Sequence, residues 1–305
     1  MEDKIILPNF LIVGAAKSGT TSLYYYLNEH PEIYMSPIKE PHFLIGIDFS
    51  NIDEKGGRYD KLNKVIYRLE DYLNLFKNVK EEKAIGEATV GYLFFYRETI
   101  PNIKKYLKDP KIVILLRDPV DRAFSHYMHH VRDGYETLYF EEALKMEEKR
   151  KNWWYGYQYT KLGFYYKQVK AYLDNFSNVR IYLFDDLKKD SLKVVQDIYR
   201  FLEVDDSFVP PSIGIKFNVT GIPKNKFLHE FLRKPNAIKS TLRPLARLVL
   251  PDKETRERFL RKLLQKNLKK PEMKPETRDY LKRLYKEDIL KLQDLIKRDL
   301  SHWLK

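Results

Sequence analysis

The sequence contains no cysteine among its 305 residues, so disulfide bonds and sulfur-ligated metal sites are excluded. No apolar stretch reaches the roughly 20 residues that a membrane-spanning helix needs, and no apolar leader segment opens the chain. The seven histidines include no pair at a convincing metal-ligand spacing. Three of them, His126, His129 and His130, cluster on one predicted helix, where we expect a face that is either solvated or supports the site from behind. These absences predict a metal-free protein located in the cytoplasm.

The chain does contain enough apolar residues for a large core, and its charge is unevenly distributed. Hydrophobic residues make up 43% of it, which is typical of a globular protein, and its length suits one α/β domain over residues 1–305. The net charge is +13, and residues 221–305 hold this whole excess, with 24 basic and 11 acidic residues. Basic and apolar residues alternate there, which predicts a mainly helical C-terminal part with a cationic face. That face is either a solvated helix surface or a contact for an anionic partner, namely the acceptor or a negatively charged membrane, and nucleic acid is not expected.

The first functional signal is a turn near the N-terminus. The apolar run Phe10–Val13 predicts a buried strand, and a helical pattern of apolar residues begins shortly after Lys17 and Gly19. A strand, a glycine-bearing turn and a helix start together aim backbone N–H groups and the positive end of a helix at an anion. The spacing differs from the P-loop of nucleoside triphosphatases, because Ala16 rather than glycine precedes the lysine.

A second signal follows another apolar run, Lys111–Leu116, which predicts a strand buried on both faces of a parallel sheet. Arg117 comes directly after it, and Ser125 lies eight residues later in a predicted helix. Ligands of open α/β sheets bind outside the carboxyl ends of the strands. We therefore expect this arginine and the N-terminal turn to meet at one edge of the sheet.

With these two elements the chain resembles the sulfotransferases that use 3′-phosphoadenosine 5′-phosphosulfate (PAPS). Its nearest likeness is to the glycan-modifying branch, which includes the heparan sulfate sulfotransferases. Residues 16–22 are similar to the family's 5′-phosphosulfate loop, and residues 116–127 to its 3′-phosphate element. Further similarity lies in the segments 39–43, 163–166 and 298–304. The resemblance implies a P-loop-NTPase-like central parallel sheet flanked by helices.

The resemblance also implies a role for individual residues. PAPS is the implied donor and no divalent metal is needed, because sulfuryl transfer depends on positioning and fixed positive potential. Lys17 is the implied catalytic cation, which stabilises charge growing on the bridging oxygen. The implied donor-binding residues are Ala16, Lys17, Ser18, Gly19, Thr20, Thr21, Arg117, Ser125 and Lys224.

The acceptor group must lose a proton, so a general base is needed. Glu40 matches the glutamate to which the glycan-modifying branch assigns this role, and His42 is the reserve base or its partner. One residue departs from the heparan sulfate branch: Ala88 stands where that branch usually has a lysine. The missing cation argues against a polyanionic acceptor. The implied acceptor is a hydroxyl or amine of a carbohydrate or glycolipid.

Two other functions remain open at the level of sequence. A P-loop-type nucleotide kinase or NTPase is disfavoured by Ala16 before the lysine and by Arg117 where a Walker-B acid is wanted. A catalytically inactive basic protein would bind polyanions or membranes in a salt-sensitive manner without any sulfo transfer.

Overall fold

A five-stranded parallel sheet forms the centre of the molecule. The computed structural model describes residues 5–49, 52, 65–215, 217, 221–233 and 252–305. The sheet order is β2-β3-β1-β4-β5, and every pair of neighbours runs parallel. The strands are β1 Phe10–Gly14, β2 Ile33–Met35, β3 Ala84–Ala88, β4 Lys111–Leu116 and β5 Val179–Leu183.

Helices cover both faces of this sheet, because the central strands present apolar side chains to both sides. Leu11 and Val13 of β1 pack into one apolar cluster, whereas Phe10 and Ile12 pack into a second cluster on the opposite face. This alternation follows from the two-residue period of a strand. The predicted α/β class, with a central parallel sheet flanked by helices, is confirmed.

The helices before residue 221 follow the strands in an alternating series. In chain order they are α1 Thr20–Asn28, α2 Leu69–Asn74, α3 Gly91–Phe94, α4 Tyr96–Leu107, α5 Pro119–Asp133, α6 Phe140–Lys145, α7 Tyr165–Asn175, α8 Phe184–Lys189 and α9 Ser191–Leu202. Short 3₁₀ turns occur at Phe43–Ile45, Tyr155–Tyr157, Lys161–Gly163 and Ser301–Leu304.

The C-terminal part contains three described helices and a short antiparallel strand pair. They are β6 Ile222–Pro223, α10 Lys226–Arg233, α11 Lys253–Lys266, β7 Leu268–Lys269 and α12 Pro275–Ile296. The last helix returns to the main core, where Leu281 and Tyr285 are fully buried. Its Asp288 carboxylate accepts hydrogen bonds from the first backbone N–H groups of α7, which satisfies donors that a helix start leaves open.

The expected single domain over residues 1–305 stays a prediction, and residues 234–251 of the basic part lie outside the described ranges. In the described part of the chain, none of the helices combines the length and the apolar character that crossing a membrane requires.

Candidate active site

One cavity of about 540 Å³ lies at the carboxyl edge of the sheet. Residues that follow each of the five strands line this cavity. The parallel arrangement of the strands therefore brings these residues together at one edge of the sheet. The lining residues after β1, β2, β3, β4 and β5 include Lys17, Glu40, Val90, Arg117 and Phe184, respectively. The predicted site residues that line the cavity are Ala16, Lys17, Gly19, Thr20, Thr21, Glu40, His42 and Arg117.

The N-terminal turn delivers the start of α1 to this cavity. Gly19 precedes the helix with a φ of 94°, a left-handed conformation that glycine adopts without steric cost. A side chain there would also collide, since an added Cβ would lie 2.8 Å from Leu187 and 3.1 Å from Phe184. Ser18 is fully buried and is not part of the cavity wall. The turn therefore favours glycine at this position, and any larger residue would also require the Leu187 side chain of α8 to shift.

Arg117 connects the two predicted anion-binding elements. Its Nη1 donates a hydrogen bond of 3.1 Å to the backbone carbonyl of Lys17, and its guanidinium lies 4.8 Å from the ring centre of Phe184. Burial lowers the pKa of Arg117 from its usual value, yet an arginine stays protonated in proteins. A fixed cation therefore stands beside the turn that carries Lys17.

Helix α5 begins directly after this arginine, with the Asp118 carboxylate accepting the Val120 N–H at 2.8 Å as a helix cap. Ser125 on this helix is buried and does not line the cavity, whereas His126 and His129 do. The expectation of a face that is solvated or supports the site from behind stays a prediction. His130 is fully buried, 3.0 Å from the Tyr159 hydroxyl. The sequence analysis did not place His126 and His129 in the site, although both lie on the helix that follows Arg117.

Lys224, the remaining predicted donor contact, is exposed beside β6 and is not part of the cavity wall. Its backbone N–H donates to the Asn267 carbonyl at 2.7 Å, which ties the two short strands of the C-terminal part together.

The segment with the predicted base is held at the end of β3. The Glu40 N–H donates to the Ala88 carbonyl at 2.9 Å, and Glu40 lines the cavity. The Glu40 carboxylate lies 2.6 Å from the Lys39 Nζ and 3.9 Å from the His42 Nε2. His42 is nearly buried, with its ring centre 5.4 Å from that of Trp154. The two candidate bases are therefore neighbours on one wall.

Lys17, Glu40 and His42 share an unusual backbone conformation. Their φ angles are 68°, 64° and 59°, in the left-handed region that non-glycine residues rarely adopt. Such a conformation costs roughly 1–3 kcal/mol for each residue and persists where surrounding contacts impose it, often at functional sites. All three predicted catalytic residues thus carry local strain at the same cavity.

The wall beyond these residues is aromatic. Trp154 and Tyr155 both line the cavity, and their ring centres lie 4.6 Å apart. Both side chains are largely buried, so they serve the core and the cavity at once. Flat apolar surfaces of this kind suit the face of a sugar ring. The site therefore has a cationic end at Lys17 and Arg117 and an aromatic wall near Glu40.

An α/β protein with these two anion-binding elements at one sheet edge belongs to the broad class that binds phosphate-bearing nucleotides. Comparison with known proteins defines the family: the model of the sulfotransferase domain matches residues 7–294. The chain is a member of the sulfotransferase family. A solved sulfotransferase from Alicyclobacillus acidocaldarius is 35% identical over 99% of this chain and 100% of its own, with a TM-score of 0.73.

Curated relatives cover smaller regions. The membrane-associated sulfotransferase kil1 of Dictyostelium discoideum is 34% identical over 128 residues, which are 42% of this chain and 24% of the relative. Human carbohydrate sulfotransferase 15 is 31% identical over 172 residues, which correspond to 45% of this chain and 30% of the relative. The matches thus span less than a third of the length of these two relatives.

The predicted cytoplasmic location is wrong, because these relatives include a sulfotransferase that is associated with a membrane. The prediction depended on the lack of cysteine and of an apolar leader. Neither feature determines a compartment, since a protein without cysteine folds equally well in reducing and oxidising surroundings.

Proposed function

We propose that this chain transfers the sulfo group of PAPS to a hydroxyl or amine of a carbohydrate. The observation that carries the proposal is the convergence of Lys17, Arg117 and Glu40 on one cavity at the carboxyl edge of the sheet. Family membership supports the reaction, and the aromatic wall at Trp154 supports a sugar as the acceptor.

The donor would lie across the cationic end of the cavity. Backbone N–H groups of residues 16–21 and the start of α1 suit the 5′-phosphosulfate, while Arg117 and Ser125 are assigned to the 3′-phosphate. Phe184 offers an apolar face beside Arg117, which suits the adenine ring. Ser125 must become accessible for its role, because it is buried in this structure.

Transfer then proceeds in line. The acceptor oxygen or nitrogen attacks the sulfur, the bond from sulfur to the 5′-phosphate oxygen breaks, and adenosine 3′,5′-bisphosphate leaves. The Lys17 ammonium stabilises the negative charge that grows on the leaving oxygen. Glu40 takes the acceptor proton, and its carboxylate is held in place by an ion pair with the Lys39 Nζ at 2.6 Å. His42, at 3.9 Å from Glu40, is the reserve base.

We assign an uncharged sugar rather than a polyanion to the acceptor side. Among the described lining residues, the cations other than histidine are Lys17, Lys39, Arg117 and Lys188. Two of them are engaged with carboxylates, Lys39 with Glu40 and Lys188 with Asp185. The other two serve the donor end, so the described wall offers little positive charge to a sulfated chain. Ala88, in place of the lysine of the heparan sulfate branch, adds none.

The basic C-terminal part suggests where the acceptor is found. Phe227 and Phe231 of α10 and Phe259 of α11 are 88%, 38% and 55% exposed, within the segment that holds the positive excess. Exposed aromatic side chains among basic residues suit an anionic membrane surface, which would present a glycolipid sugar. Sedimentation with anionic vesicles should exceed that with neutral phosphatidylcholine vesicles and should fall in Phe227→Asp. Equal binding to both kinds of vesicle contradicts the contact.

Mass spectrometry of acceptor mixtures tests the reaction itself. The protein and PAPS are incubated with neutral oligosaccharides, with glycolipids and with heparan sulfate oligosaccharides, and the products are searched for one added sulfo group. We expect the gain on a neutral sugar. Calorimetry without magnesium should show binding of adenosine 3′,5′-bisphosphate. Turnover of magnesium-bound ATP without sulfo transfer would instead support the kinase alternative.

A further inference from the structure

Behind the wall that carries Glu40 lies a fully buried carboxyl group with no assigned role. Glu87 of β3 is 0% exposed, and no ion pair with a lysine or arginine is found for it within the described ranges. Three buried hydroxyls donate to its oxygens instead: Tyr92 at 2.7 Å, Tyr72 at 3.0 Å and Thr89 at 3.2 Å. A buried carboxyl that is surrounded only by hydroxyls costs stability unless something else is gained.

The hydroxyl of Tyr92 connects this carboxyl to the segment of the candidate base. It donates to the Glu87 Oε1 and at the same time accepts the backbone N–H of Leu44 at 3.2 Å. Linked hydrogen bonds of this kind polarise and strengthen one another in a buried environment. The Leu44 amide is thereby anchored to β3 through one side chain.

The other end of the same segment is anchored to the same strand. The Glu40 N–H is bonded to the Ala88 carbonyl, as described above, so residues 40–44 are fixed at both ends. Glu40, at the first anchor, and His42, between the two anchors, both have the left-handed backbone that needs outside support. Removal of one anchor should therefore let this short segment relax.

We propose that Glu87 and Tyr92 are positioning residues, which hold the segment 40–44 in its strained conformation so that Glu40 faces the cavity. The proposal rests on the proposed function for its catalytic consequence, but its structural part does not. Neither residue lines the cavity. Their effect on the reaction is exerted entirely through the backbone of the segment.

Tyr72 provides a matched control for the test. Its hydroxyl donates to the same Glu87 oxygen as Tyr92 does and is equally buried, and the ring of Tyr72 stacks on Phe43 with 4.3 Å between ring centres. Tyr72→Phe therefore removes one buried donor from Glu87 and preserves the stacking. Tyr92→Phe removes a buried donor from the same oxygen and also removes the acceptor of the Leu44 N–H.

Amide hydrogen exchange measured by mass spectrometry tests the structural part without any substrate. In Tyr92→Phe, exchange in a peptide covering residues 42–46 should accelerate about tenfold or more relative to wild type, because a buried donor loses its partner. In Tyr72→Phe the same peptide should exchange at the wild-type rate. Equal exchange in both variants would overturn the proposal.

Kinetics tests the catalytic part. Tyr92→Phe should lower kcat about tenfold or more while the KM for PAPS and the affinity for adenosine 3′,5′-bisphosphate stay near wild type, since the donor end is untouched. Tyr72→Phe should keep most of its kcat. An equal loss of kcat in both variants would mean that the carboxyl is only a structural feature, and the positioning role would be rejected.

A conservative variant gives a second route if Tyr92→Phe does not fold. Glu87→Gln retains an oxygen that accepts from Tyr92, so exchange at residues 42–46 should stay within about threefold of wild type. Exchange faster than that would overturn the proposal. Failure of the proposed function is a separate result: wild type would then transfer no sulfo group, while the exchange differences between the variants would still be seen.

Discussion

At the scale of single residues, the left-handed backbone of Lys17, Glu40 and His42 determines which substitutions are informative. Alanine and lysine both carry a Cβ, so exchanging one for the other leaves the backbone cost nearly unchanged. Glycine relieves that cost because it has no Cβ. Pairs of variants at one position can therefore separate the function of a side chain from the strain of its backbone.

Lys17→Ala should lower kcat about 100-fold or more with little effect on the fold, because the ammonium stabilises charge that develops mainly in the transition state. Lys17→Gly should lose kcat to the same extent but raise the free energy of unfolding by about 1 kcal/mol, since the left-handed strain disappears. Steady-state kinetics and chemical denaturation of both variants provide the measurement. Near-normal turnover in either variant would contradict the assignment of the turn.

Glu40→Gln should preserve donor binding and abolish most of the transfer. The amide keeps the shape of the side chain but cannot take a proton, so the variant isolates the base function. Calorimetry with adenosine 3′,5′-bisphosphate should show wild-type affinity, while kcat falls about 100-fold or more. If Glu40→Gln stays active and His42→Ala does not, the base is His42.

At the scale of elements, the regular parts of the site could be predicted and the irregular parts could not. The turn after β1 and Arg117 after β4 follow two buried apolar runs, which have a clear pattern. The strand Ile33–Met35 is too short for such a pattern, and helix α4 contains Pro101, which usually ends a helix. Neither element has a sequence pattern from which it could be predicted.

The geometry around Glu40 had no sequence signal of its own. Its position depends on hydrogen bonds to Ala88 and, through Tyr92, to Glu87, all of which are distant in sequence. The family resemblance supplied the role of Glu40, and only the fold supplied the contacts that hold it. In the same way, helical periodicity cannot tell that His126 and His129 face a cavity rather than solvent.

Arg117 joins two elements, so its loss should have two effects. Arg117→Ala should weaken PAPS binding about tenfold to 100-fold through loss of a charge-assisted phosphate contact. It should also lower kcat, because the hydrogen bond to the Lys17 carbonyl that steadies the turn disappears. Ser125→Ala should have a smaller effect, since a neutral hydroxyl binds phosphate more weakly than a guanidinium does.

A donor analogue without the 3′-phosphate, adenosine 5′-phosphosulfate, is the control for that experiment. Wild type should bind this analogue poorly, and Arg117→Ala should lose little further affinity for it. Should the variant distinguish the two donors as well as wild type does, Arg117 does not hold the 3′-phosphate.

At the scale of the whole molecule, the buried carboxyl of Glu87 connects stability to pH. Burial raises the pKa of Glu87 from 4.5 to about 7, although the hydroxyls of Tyr92, Tyr72 and Thr89 oppose this shift. The folded protein therefore holds a proton that the unfolded chain has already released between about pH 4.5 and 7. Since the unfolded state binds fewer protons there, this group lowers the free energy of unfolding as the pH rises.

Glu87→Gln removes this dependence, because the amide does not titrate. As the pH rises from 4 to 8, wild type should lose about 3 kcal/mol of unfolding free energy relative to the variant. Most of the shift should fall between about pH 4.5 and 7, and it should level off above that range. Urea denaturation of both proteins at a series of pH values is the measurement, and Glu81→Gln, at an exposed carboxyl, is the control. If the difference in unfolding free energy between Glu87→Gln and wild type does not change with pH, the Glu87 carboxyl has the same pKa in the folded and the unfolded protein. The conclusion that burial without a cation raises this pKa would then have to be abandoned.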